Sequence, residues 1–256
     1  ESQRRQTGSR KCPDHVGHAL RVEFTKSTES LGSDRLEERR RRDTGGGKGP
    51  NRVHEKPEQS IAAVLDLIKN IPFPNLKIVV TNPTPIQWGG TEDKTDQQLL
   101  VQAKALNQLG RELRKLGLKL AYHNHDTEMR QSARELHHMM LGTDPENVHL
   151  CFDAHWMYRG AGNSQIAMFD IFRLYHQRIV ELHVRNSVNG IWQEVFGPGD
   201  IDYEKLIENC LSVGLQPHLV LEQAVEKDSP HQFDTLTAQQ KNFDAFRKLF
   251  AEPFSK

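Results

Sequence analysis

Two hydrophobic periods run through most of the chain. Ile61, Val64, Leu65 and Ile68 recur at the i, i+3, i+4, i+7 spacing of a helix face. The residues that follow, 76–82 (LKIVVTN), form a short apolar run that predicts a buried strand. The same alternation continues to the end. Strands are predicted at 118–124 (LKLAYHN), 148–154 (VHLCFDA), 179–185 (IVELHVR) and 218–223 (HLVLEQ). Helices are predicted between and after them at 95–117, 129–142, 166–177, 203–214 and 235–250. Thr95 or Asp96 is the expected N-cap of the first long helix, and Gly117, Gly142 and Gly214 end three of them. Residues 155–162 and 186–202 read as loops. Strand-to-strand spacing of roughly 30 to 40 residues suits repeated βα units with right-handed crossovers.

Each of the last four strands ends in ionisable side chains. Successive side chains of a strand point to opposite faces, so parity sorts them. Ala121, His123 and His125 share one face, as do Cys151 with Asp153, Glu181 with His183 and Arg185, and Val220 with Glu222. Leu150, Phe152, Leu182, Leu219 and Leu221 take the opposite, helix-covered face. In a parallel α/β barrel the C-terminal strand ends form one surface, where such enzymes carry out their chemistry. Asp153, His183 and Glu222 make a mixed nitrogen and oxygen donor set there, suited to one divalent ion: Mn, Co, Zn or Mg. The bland alternative for any single one of these residues is a capped or salt-bridged strand end. Recurrence on consecutive strands weighs against it.

Residues 1–56 break the pattern. Arg, Gly, Ser, Thr and Lys dominate, and only residues 19–24 (ALRVEF) resemble a strand. Such a composition buries too little apolar area to offset ordering entropy. Three readings stand: a disordered basic tail, an anion- or nucleic-acid-binding arm, and a stretch that is not the natural protein because of a misplaced start or reading frame. No apolar signal region is visible, and under the third reading that absence is uninformative. The domain expectation is therefore an atypical segment over 1–56 and a catalytic domain over 57–256 carrying strands four to eight of an eight-stranded barrel.

Length and charge narrow the class further. The 256 residues suit one α/β barrel domain. A formal net charge of zero gives no bulk attraction for nucleic acid or anionic membrane. Cys12, Cys151 and Cys210 are too few and too scattered for a disulfide framework. Cys151 and Cys210 read as buried small hydrophobes, which fits a reducing, cytoplasmic setting. Three tryptophans, Trp88, Trp156 and Trp192, fall just after strands or in the loops at the C-terminal strand ends. One of them stacks on a sugar ring, or all are buried under those loops. Asp200, in the tight turn GPGD, or Asp202 just after it caps the helix that follows.

From about Pro57 onward the chain resembles the xylose-isomerase-like sugar isomerase/epimerase superfamily. The resemblance rests on YHNHDTE (122–128), FDAHW (152–156), ELHVRN (181–186), FGPGDIDY (196–203) and LVLEQ (219–223). It implies a (β/α)8 TIM barrel with an incomplete or irregular N-terminal part, and one divalent metal held by a Glu, an Asp, a His and a Glu. Asp153, His183 and Glu222 match the last three. Glu128 is the preferred match to the first, with His123 or His125 as the alternative. The resemblance also assigns substrate contact to His155. Arg185 and Asn186 stand where many members have Lys and Asp, which leaves a cation for a substrate oxyanion or phosphate. Trp156 is the aromatic candidate for the substrate site.

The implied chemistry is proton transfer next to a carbonyl through an enediolate, with Glu128 and Glu222 as the acid/base pair or His123 and His125 as imidazole bases. Proton return to the other face epimerises, return to the neighbouring carbon isomerises, and loss of a β-oxygen dehydrates or cleaves. A keto-sugar or inosose lyase or dehydratase is the runner-up. An incomplete barrel that binds without turnover is the alternative from another class. The expected partner is a small sugar or keto-sugar, with no nucleic acid or membrane, and a homo-oligomer is compatible. A three-zinc DNA-repair site lacks the extra ligands it needs.

Overall fold

A computed structural model of the chain describes residues 18–22, 53–70, 75–251 and 253, with backbone alone for 18–22 and 251. Most of the segment 1–56 therefore lies outside the described residues, apart from 18–22 and 53–56. In chain order the elements are β1 (His18–Val22), α1 (Pro57–Asn70), β2 (Leu76–Thr81), α2 (Asp96–Lys115), β3 (Lys119–His123), α3 (Arg130–Leu141), β4 (Val148–Asp153), α4 (Ala154–Gly160), α5 (Gln165–Tyr175), β5 (Ile179–Val184), β6 (Ser187–Val188), β7 (Ile191–Trp192), α6 (Tyr203–Ser212), β8 (His218–Leu221) and α7 (Thr235–Phe246).

Six strands form one parallel sheet in the order β1-β2-β3-β4-β5-β8. Parallel neighbours need crossover connections, and α1 to α6 supply them. The five strands expected after Pro57 are all present, and the ALRVEF stretch supplies the sixth, over His18–Val22. Beside the large sheet, β6 and β7 form a small antiparallel hairpin.

Side-chain parity divides the sheet into two faces, as the alternation implies. Leu120, Tyr122, Leu150, Phe152, Leu182 and Val184 join the large core under the helices, with Leu219 and Leu221 packed against it. Ile78, Val80, Ala121 and Cys151 form a second, smaller cluster on the inner face. The alternation breaks between β4 and β5. Leu150 pairs with Ile179 but Cys151 pairs with Glu181, so Val180 has no partner in the ladder. This is a β-bulge. Val180 packs against the inner cluster, although strict alternation from Leu182 and Val184 would place it under the helices.

Two expected loops are structured instead. Residues 154–160 form helix α4 because Asp153 Oδ1 accepts the Trp156 N–H at 2.8 Å and caps it. Within 186–202, Asn189 and Gly190 both adopt positive φ (54° and 79°) between β6 and β7. That is the turn an Asn-Gly pair favours in a two-residue hairpin. Thr95, and not Asp96, caps α2, with Gln98 completing a reciprocal capping box. Asp202 caps α6 through the Lys205 N–H. Cys151 and Cys210 are buried and free, as expected of small hydrophobes. No described helix is long and apolar enough to cross a membrane.

Candidate metal centre

The register of the central strands sets the site. Asp153 pairs with His183 across β4 and β5, and His123 pairs with Cys151 across β3 and β4. Glu222 extends β8 beside them, its N–H bonded to the Val184 carbonyl at 3.0 Å. One ligand atom each from His123, Asp153, His183 and Glu222 lies within 4.8 Å of the others. A second, overlapping set joins His123 and His183 to Cys151. His123 Nε2 is 3.4 Å from Asp153 Oδ2, and His183 Nδ1 is 3.2 Å from Glu222 Oε2. Donors at about 2.0–2.2 Å from one ion sit roughly 3.0–3.6 Å from each other, so these contacts match neighbouring donors around a cation.

Glu128, the preferred first ligand, is not in this group; His123 stands in its place. Strand β3 ends at His123, so parity ceases to govern beyond it, and a 3-10 turn over Thr127–Met129 sets the direction of Glu128. Its Oε2 accepts the His125 N–H at 2.6 Å. Burial raises its pKa from 4.5 to about 7, with Glu135 adding to the rise and Lys94 opposing it. A buried ion pair, Lys94 to Glu135 at 2.7 Å, lies beside it, with Gln102 also donating to Glu135. Neither Lys94 nor Glu135 carries a motif that would have singled it out in the sequence.

The donor set carries a charge problem that a cation would solve. Asp153 and Glu181 are fully buried and Glu222 is partly so, while Arg185 is the guanidinium facing them. Burial raises the pKa of Asp153 above its ordinary value, with Arg185 opposing. Burial also opposes the charged form of His183, but Cys151, Glu181 and Glu222 outweigh it and carry its pKa well above the ordinary histidine value. Buried carboxylates that outnumber nearby cations need protons or a metal. Two carboxylates and two imidazoles are a donor set that fits a divalent ion.

The rim of the site is aromatic and cationic. Trp88 and Trp156 lie 5.0 and 5.2 Å from His125, and His125 lies 4.7 Å from His123, between ring centroids. Trp156 and Trp192 meet edge to face at 5.3 Å. The Arg185 guanidinium sits over Trp192 at 4.1 Å and over Trp156 at 5.2 Å. Its Nε donates to the Glu222 carbonyl at 2.7 Å and its Nη2 is 3.3 Å from Glu222 Oε2. Its Nη1 is buried without a hydrogen-bond partner among the described residues.

The FGPGDIDY stretch holds this rim in place. Tyr203 Oη accepts the Arg185 N–H at 3.1 Å and donates to the Arg185 carbonyl at 2.6 Å. Asp200 accepts from Ser187 Oγ and from the N–H groups of Asn189 and Gly190, so it pins the β6–β7 hairpin and leaves the helix cap to Asp202. Gly199 packs against Asn186 Oδ1 and the Ser187 carbonyl so closely that a Cβ would collide with both. Asn186 is therefore held from behind, and its N–H donates to Gln223 Oε1 at 3.1 Å.

His155 is positioned by the same stretch. Ser187 Oγ donates to Asp200 Oδ2 at 2.8 Å, so it accepts from His155 Nε2 at 2.9 Å. Burial lowers the His155 pKa from 6.5 to about 4, so the ring is neutral at pH 7. Its Nδ1 then carries a lone pair, buried and without a hydrogen-bond partner among the described residues. Ser187, and the part Asp200 plays beside it, escaped the sequence reading because the hairpin that brings them together was read as loop, although the Asn-Gly pair signalled it.

Comparison with known proteins agrees with this architecture. A family model described as xylose isomerase-like TIM barrel matches residues 49–249. Among curated proteins, inosose dehydratase of Bacillus licheniformis is 28% identical over 152 residues, 52% of this chain and 49% of that protein. Inosose dehydratase of Mesomycoplasma hyopneumoniae is 29% identical over 172 residues, 61% of this chain and 56% of that protein. The chain thus spans about half the length of the curated relatives it matches. Among solved structures, a sugar phosphate isomerase/epimerase from Parabacteroides distasonis superposes with a TM-score of 0.58 at 15% identity, covering 93% of this chain and 71% of that one. The IOLI protein with a zinc atom gives 0.58 at 15% identity, covering 79% and 72%. An L-ribulose 3-epimerase gives 0.54 at 17%, covering 79% and 67%. With four-fifths of its length matched by the family model and the parallel strands in barrel order, the chain belongs to the xylose isomerase-like TIM-barrel family.

Proposed function

We propose that the protein is a divalent-metal-dependent sugar isomerase or epimerase that moves a proton next to a carbonyl. The observation that carries this reading is the convergence of His123, Asp153, His183 and Glu222 at the ends of β3, β4, β5 and β8, beside the buried Arg185. Those four residues would hold the ion, which supplies Lewis-acid polarisation of the carbonyl and its neighbouring hydroxyl when bound.

The chain's own groups do the rest. A base takes the proton from the carbon beside the carbonyl; the C–H electron pair becomes the enediolate C=C and the carbonyl oxygen gains the charge. Glu222 and His125 are assigned to this transfer and its reversal. Arg185 Nη1, buried and with a donor to spare, faces the oxygen on which charge develops. Neutral His155 accepts a substrate hydroxyl through Nδ1. Trp156 and Trp192 wall the site against water and offer a face to the sugar ring. Asn186 shapes the wall, and Glu128 supports His125 through its backbone. Return of the proton to the other face gives an epimer, and return to the neighbouring carbon gives an isomer.

A second reading has its own support: the curated sequence relatives are inosose dehydratases. In that case a β-hydroxyl leaves as water after the same proton abstraction. A panel of ketoses, ketose phosphates and inososes in D2O, followed by NMR with the metal-loaded protein, separates the outcomes. Deuterium at the carbon beside the carbonyl with altered stereochemistry supports the first reading, and an unsaturated product supports the second. No exchange with any member of the panel would count against both.

A further inference from the structure

The buried acid Glu181 has no part in the reading above, yet it lies against the ion site. We propose that Glu181 is a positioning residue: it holds His183 by Nε2 so that Nδ1 is the atom presented to the ion. This rests on the ion site proposed above.

The argument starts at the bulge. Val180 has no ladder partner and packs inward, and Glu181 follows it with its side chain sealed at 1% exposure. The inner cluster beside it is apolar, formed by Ile78, Val80, Ala121 and Cys151. An apolar residue at 181 would suit that cluster, because a buried carboxylate is costly unless its bonds return the loss. The bonds that Glu181 makes run to one side chain above all. Oε1 lies 2.6 Å from His183 Nε2 and 3.7 Å from Cys151 Sγ.

The imidazole is thereby oriented. With Nε2–H given to Glu181, the other ring nitrogen, Nδ1, lies 3.2 Å from Glu222 Oε2, on the side of the other oxygen donors, where it would face an ion once its own proton is released. A carboxylate behind a metal-binding histidine fixes both its tautomer and its ring plane.

Zinc(II), a diamagnetic probe, tests this in the full chain. Long-range ¹H–¹⁵N spectra of the labelled zinc form, with His183 identified by its loss in His183→Gln, report which nitrogen carries the proton. The expected result is Nε2 protonated and Nδ1 on zinc. Competition against a chromophoric chelator then measures affinity. Glu181→Ala is expected to weaken zinc binding by about 10–100-fold. Glu181→Gln, whose amide oxygen still accepts from Nε2–H, is expected to recover most of that loss. Zinc on Nε2, or unchanged affinity in a folded Glu181→Ala, overturns the inference and leaves the ion site standing. Failure of the wild-type chain to bind zinc, Mn or Co overturns both. The spectrum of the wild-type protein decides the point even where the Ala variant does not fold.

Discussion

Three of the four proposed ion donors stand on the centre of the sheet and the fourth stands at its edge. His123, Asp153 and His183 end β3, β4 and β5, whose inner and outer side chains are almost wholly sealed. Glu222 follows β8, where all four strand residues are half-buried and, among the described residues, only β5 is a hydrogen-bonded neighbour. Its side chain is 22% exposed, against 1% for each of the other three. The difference separates two tasks. Central strands hold their side chains by packing on both faces. At the edge, Glu222 keeps part of its side chain open, which under the proposed function gives a proton carrier access to substrate.

The largest effect that would break this comparison is on stability. Phe152→Ala, at the centre, is expected to cost about 3–5 kcal/mol in urea unfolding. Leu221→Ala, at the edge, should cost about 1–2 kcal/mol because less area leaves water. Equal costs would mean that β8 is as firmly held as β4. Next comes the ion. His183→Ala should lower affinity by more than the roughly 100-fold upper range for a lost supporting residue. Glu222→Gln should retain measurable metal but lose solvent exchange at the substrate carbon; loss of all metal in that variant would erase the division of tasks.

A third test uses pH. Glu128 has its pKa raised from 4.5 to about 7 by burial, so the folded chain binds a proton that the unfolded chain has released across that interval. Stability from this group is therefore present below the unfolded value and is lost as pH rises toward 7. Glu128→Gln should remove that loss, gaining on the order of 2 kcal/mol relative to wild type between pH 4.5 and 7.5. A parallel pH dependence of the two proteins, followed by denaturant titration, would show Glu128 ionised from the start. The smallest effect is a control away from the sheet. Thr95→Ala removes the capping box of α2 and should cost about 1 kcal/mol with metal affinity unchanged.

Much of this was legible in the sequence, and the reasons differ by residue. Asp153, His183 and Glu222 could be placed by parity because each lies within a strand or one residue beyond it. His123 obeyed the same rule, but its competitor Glu128 lies beyond the end of β3, where a turn decides direction and parity says nothing. Helix α4 was hidden because Asp153 has two oxygens with separate tasks: one caps the helix and the other faces His123. The β6–β7 hairpin was signalled by Asn189-Gly190, and its consequence, the link from Asp200 through Ser187 to His155, needed the third dimension. The bulge at Val180 left no trace in composition, since Val and Glu both fit an alternating strand.

That bulge bears on how the chain is matched to its kin. A relative with an unbroken fifth strand is one residue shorter there, and a residue-by-residue match to this chain requires a gap in the middle of a strand. With His183 matched, the extra residue falls at Val180, and the residues before it are displaced by one position.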